Sequence, residues 1–106
     1  MIRWFKLMQD DICLGTLMPY EYDFPWVYCD FNPSHSFQTV KNFFIKELEL
    51  MNKCINGEDL NCQTNWEQVY SNICELGLSL VGDEGTIITE FLLHIDVIEN
   101  KAWFRS

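Results

Sequence analysis

A chain of 106 residues, 48% hydrophobic and 15% aromatic, is long enough for one packed domain and too apolar for a disordered one. Sixteen acidic against seven basic side chains leave a formal net charge of −9. That field repels nucleic acid and anionic membrane and attracts basic partners. No apolar run approaches the roughly 20 residues of a membrane helix. The start, MIRWFKLMQDD, alternates apolar and polar residues and has no apolar centre or small-residue cleavage site of an export signal. The expectation is one globular domain over residues 1–106, located in the cytoplasm.

In chain order, Ile2 to Met8 reads as a first strand and Gln9 to Asp11 as a turn. Ile12 to Tyr22 reads as the hairpin partner, ended or pushed to an edge by Pro19. Phe24 to Phe31 is a third strand with Pro25 near its start. On it Trp26, Tyr28 and Asp30 share one face, and Val27, Cys29 and Phe31 the other. After Asn32 and Pro33 the period changes. Phe37, Val40, Phe44, Leu48 and Met51 recur at helical spacing, which predicts an amphipathic helix capped by Ser34 or Ser36. Cys54 to Gln63 is a loop marked by Asn56-Gly57. A second helix follows from Thr64, with Thr64 and Glu67 as a capping box and Gly77 as its carboxyl-terminal cap. Its apolar stripe is Trp66, Val69, Tyr70 and Ile73. Leu78 to Val81 returns to strand, Gly82 to Gly85 turns, and one long strand from Thr86 is followed, past Ile98 to Lys101, by a final strand. The order βββααβββ predicts an α+β domain: a mostly antiparallel sheet of about six strands with two helices packed on one face.

Five cysteines, Cys13, Cys29, Cys54, Cys62 and Cys74, form no CxxC pair. An odd count without an export signal predicts reduced, mostly buried thiols. On the long strand Thr89, Phe91, Leu93, Ile95 and Val97 point to a core. Ile88, Glu90, Leu92, His94 and Asp96 point to a half-solvated face. His94 lies two residues from Asp96, as a catalytic base lies near its orienter. No nucleophile elbow, metal-binding histidine pair or phosphate loop completes such a site. His94 is therefore expected to be structural, bonded to Glu90, Asp96 or backbone. The competing expectation is a small enzyme using His94 with Asp96 or Glu90. Cys54, Cys62 and His35 are too irregularly spaced for a metal, and neither metal nor cofactor is expected. Trp26 and Tyr28 lack the basic surroundings needed to stack on nucleic-acid bases. Trp4, Trp66 and Trp103 read as core fillers.

Surface composition is more informative. From Pro19 to Phe31, Tyr20, Tyr22, Trp26 and Tyr28 interleave with Glu21, Asp23 and Asp30. Aromatics dominate interface hot spots, and nearby carboxylates suit a basic partner. The bland alternative is a strand pair whose aromatics are buried. Glu58 and Asp59 in NGEDLN, and Asp83 and Glu84 in VGDEG, add two acidic loops.

The stretch DFPWVYCDFNPSHSFQTVKNFFIKELEL, then ELGLSL, EFLLHID and KAWFR, resembles a group of small bacterial proteins without a catalytic motif. In size, acidity and single-domain build the chain also resembles immunity proteins of contact-dependent inhibition and related polymorphic toxin systems. The resemblance implies a protein that binds the toxic carboxyl-terminal domain of a cognate effector one to one and blocks its active site. Many such domains are nucleases with basic clefts, and carboxylates would occupy the places of phosphates. No enzyme activity, nucleic acid, membrane or small-molecule substrate is implied. An acidic regulatory subunit with another basic partner is the remaining alternative.

Overall fold

The computed structural model describes residues 2–57 and 61–106. It contains β1 (Phe5–Gln9), β2 (Ile12–Asp23), β3 (Trp26–Pro33), a 3-10 turn (His35–Thr39), α1 (Lys41–Asn56), α2 (Cys62–Cys74), β4 (Leu78–Gly82), β5 (Ile87–Ile88), β6 (Leu92–Asp96) and β7 (Lys101–Arg105). The α+β class and the helices packed on one face are as expected. The sheet has seven strands rather than six, all antiparallel, in the order β5-β4-β1-β2-β3-β7-β6.

The extra strand comes from a break in the stretch read as one long strand. β5 and β6 are consecutive in sequence yet lie at opposite ends of the sheet. Three residues, Thr89, Glu90 and Phe91, join them. Such a link spans little more than about 14 Å, so the two edges approach each other and the sheet curls. The curl turns one face inward. Phe5, Leu7, Leu14, Leu17, Cys29, Phe31, Leu80, Leu93, Ile95, Ala102 and Phe104 form that core with Phe37, Val40, Phe44 and Ile73 from the helical layer.

Several local features follow from single residues. Gly15 lies against Phe31, where an added Cβ would sit 2.7 Å from the ring and 2.9 Å from the Asn32 carbonyl oxygen. β2 runs through Pro19, which alters the register with β3 but does not end the strand. β1 pairs with β2 only as far as Leu17, so Pro19 does fall where β2 is an edge, the place a residue without an N–H belongs.

The expected caps differ. Ser34 Oγ donates to the Cys13 carbonyl instead of capping α1. The chain before Lys41 is 3-10, and α1 starts later than its apolar periodicity suggested. α1 also continues through Cys54 to Asn56, where Gly57 ends it at φ 69°. α2 begins at Cys62, which places Thr64 inside the helix and voids the capping box. Cys54 and Cys62 are joined by a disulfide with their Cα atoms 5.4 Å apart, which corrects the expectation of reduced thiols throughout. The antiparallel helix pair brings the two ends within disulfide reach. Of the remaining cysteines Cys29 is buried, Cys13 half-buried and Cys74 exposed. No described helix is long and apolar enough to cross a membrane.

Candidate functional site

The aromatic and acidic residues of 20–30 are assembled by the β2–β3 hairpin. Register sets their faces. Met18 pairs with Asp30, Glu21 with Tyr28 and Asp23 with Trp26, so these side chains share the outer face of the curl. Tyr20 is the extra residue where the register shifts between Pro19 and Glu21. The bulge turns it to the same outer face, where Lys101 Nζ stands 4.9 Å from its ring centroid. Tyr22 pairs with Val27 on the opposite face, so six of the seven residues singled out in this stretch come together and one does not. Tyr20 is 55% exposed and Tyr22 52%. Trp26, Tyr28 and Asp30 are half-buried, and Glu21 and Asp23 are exposed.

The carboxylates are not equivalent. Asp30 is ion-paired with Lys101. That hydrogen bond, opposed by desolvation and aided by the charges of Asp30, Tyr20 and Glu99, holds the Lys101 amino group above its usual range. Glu21 and Asp23 carry no side-chain hydrogen bond or ion pair among the described residues. They are the free charges of this face. Arg105 lies over the Trp26 ring at 5.9 Å, so the aromatics here already hold cations of the chain itself.

The other acidic candidates lie elsewhere. Asp83 sits in the turn between β4 and β5, at the far end of the sheet order, and accepts from Arg3 N at 3.1 Å and Arg3 Nε at 3.3 Å. Glu84 follows it in that turn. Neither joins the β2–β3 face. Glu58 and Asp59 lie outside the described residues.

His94 has a partner that sequence spacing did not suggest. Its Nδ1 is 2.9 Å from both carboxylate oxygens of Glu47, a fully buried residue of α1. Glu47 also accepts from Trp66 Nε1 at 2.6 Å. The His94 ring lies between Trp26 and Trp103, with centroids 5.7 and 5.5 Å away, and is 3% exposed. Asp96 instead closes the β6–β7 turn, accepting from Ile98 N and Glu99 N. Glu90 is exposed on the β5–β6 link. The expectation that Glu90 or Asp96 partners His94 is therefore corrected. Strand alternation could place His94 opposite Leu93 and Ile95, but a helix 47 residues upstream left no mark in the local pattern.

The best-formed groove encloses about 440 Å³ between α1 and the β6–β7 turn, lined by Lys41, Leu48, Glu49, Asp96 and Ile98 among others. Neither this groove nor the four others described is lined by His94 or by the hairpin residues. Among the described residues no group of three or more His, Cys, Asp and Glu is placed to hold a metal ion.

The outer face of the hairpin offers two free carboxylates, three aromatics and a paired Asp30–Lys101. Compared with protein-family models, curated proteins and solved structures, the chain finds no match.

Proposed function

We propose that this chain is a binding module of the immunity type, which neutralises a toxin domain with a basic, nucleic-acid-binding cleft by covering that cleft with the acidic outer face of the β2–β3 hairpin. The observation that carries the reading is the grouping of Tyr20, Glu21, Asp23, Trp26 and Tyr28 on one exposed face, with Glu21 and Asp23 unpaired. A net charge of −9 supports it, since it draws in a basic protein and speeds encounter. The enzyme alternative gains nothing from the site. His94 lies beneath two indoles and lines no described groove.

Toxin and inhibitor would meet in the cytoplasm as a one-to-one complex. The test is to express the carboxyl-terminal domain encoded immediately upstream, with and without this chain, and to follow cell survival and co-purification. Rescue with a stable complex is the expected result, and a harmless neighbour that does not co-purify would remove the reading. Exchanging Glu21 and Asp23 together for lysine should abolish rescue while the thermal unfolding curve stays in place.

A further inference from the structure

We infer that the β2–β3 hairpin acts as a plug: its tip, led by Phe24, enters an apolar slot at the floor of the basic partner's cleft, and Glu21 and Asp23 pair with cations on the walls. The inference deepens the function proposed above and rests on it.

On the β2 side the hairpin end is an open edge, while β3 stays paired with β7 from Val27 to Asp30. β1 leaves β2 at Leu17, so Met18 to Asp23 are held by β3 alone. The strands close in a two-residue turn at Phe24 and Pro25, joined by a cis bond. Phe24 is 97% exposed, and Met18, Tyr20 and Tyr22 are also exposed. These are four of the eight exposed large hydrophobics among the described residues, gathered in seven positions. Turns are normally built from polar residues, glycine and proline. Pro25 supplies the turn chemistry, and nothing inside the fold contacts the Phe24 ring enough to require it. A lone exposed phenylalanine needs no explanation. One in the turn at the end of an open-edged hairpin, flanked by more exposed aromatics, reads as an anchor.

The shape of the occupant follows from the faces. Tyr20, Glu21 and Asp23 look outward, Tyr22 looks the other way, and Phe24 projects from the end. A flat partner would cover one of these and leave the others in water. A cleft wraps all three. Its walls must be cationic, because Glu21 and Asp23 lack partners of their own and stand about 6.6 Å apart along the strand. A second copy of this chain would bring its own unpaired Glu21 and Asp23 against them and be repelled.

The experiment uses the upstream-encoded toxin domain as probe and titrates it calorimetrically with the full chain, Phe24→Ala, and Asp11→Lys, the last exposed at the opposite end of β2. Phe24→Ala is expected to weaken binding about 30-fold or more, the level of a hot spot, with unchanged thermal unfolding and with Asp11→Lys within a few-fold of the parent. If the parent forms no complex, the proposed function and the plug fall together. If the parent binds and Phe24→Ala binds within about twofold of it, the plug is wrong while the inhibitor reading stands. A homodimer of the chain alone that Phe24→Ala dissolves would also overturn the plug, since the tip would then serve self-association.

Discussion

Among the described residues Glu47 is the most deeply buried polar side chain. A carboxylate taken wholly out of water is costly unless its oxygens are bonded, and here His94 and Trp66 both serve it. The three residues tie α1, α2 and β6 to one point. Replacing Glu47 or His94 singly by alanine should therefore cost about 3–5 kcal/mol in urea unfolding, because each leaves a buried polar group stranded and a void. The double variant should lose far less than the sum. Additive losses would mean that the two side chains do not act as a unit. Tyr70 does a similar task at the sheet edge. Its hydroxyl accepts from Leu93 N at 2.8 Å and donates to the Phe91 carbonyl at 3.2 Å. Burial, aided by Cys74 and Glu47 and opposed by the Leu93 bond, pushes its phenol up to about 12 from 10. An acid whose folded value is raised stabilises the fold fully below pH 10, and that stability drains away as pH climbs from 10 toward 12. Ultraviolet titration should show one of the four tyrosines ionising last, and Tyr70→Phe should remove that late step and cost about 1–3 kcal/mol. A late step that survives in Tyr70→Phe would assign it to another tyrosine.

At the level of elements, the parts of the fold that depend on local period were legible and those that depend on distant contacts were not. Alternation placed Leu93 and Ile95 in the core and Trp26, Tyr28 and Asp30 on one face, as the register has them. It could not show that Ile87–Ile88 and Leu92–Asp96 serve opposite edges of one sheet, because the intervening Thr89 to Phe91 carries no glycine or proline to mark the break. The candidate face was half visible. Interleaved aromatics and carboxylates announced it, while the bulge that rotates Tyr20 and the exposure of Phe24 depend on pairing. The helix pair held a further surprise in Cys54–Cys62. A bridge across so short a loop stabilises by about 2–3 kcal/mol through lost unfolded-state entropy. Denatured but unreduced protein should therefore yield three thiols to a colorimetric reagent, those of Cys13, Cys29 and Cys74, and five after reduction. Five thiols before reduction would show that the helix ends are not cross-linked, and thermal unfolding would then be insensitive to reductant.

For the molecule as a whole, charge and shape would divide the work of the proposed recognition. A body measuring 42 × 29 × 24 Å that carries −9 presents a long-range field to any basic protein. That field acts before contact, when the partners are still separated by more than the screening length of about 10 Å at 0.1 M salt. In the proposed complex the apolar tip would act only after contact, when Phe24 and its neighbours lose their water. Salt should then separate the two contributions. Raising sodium chloride from 50 to 500 mM should slow association with the proposed toxin partner about tenfold or more, because steering is screened. Dissociation should change much less, since it is governed by buried contacts. Phe24→Ala should show the converse pattern, with nearly the parent association rate and a much faster dissociation. Stopped-flow mixing across a salt series measures both rates. If salt instead accelerates dissociation and leaves association untouched, the ion pairs of Glu21 and Asp23 hold the complex together more than long-range steering forms it, and these two residues, not Phe24, would be the anchors of the hairpin.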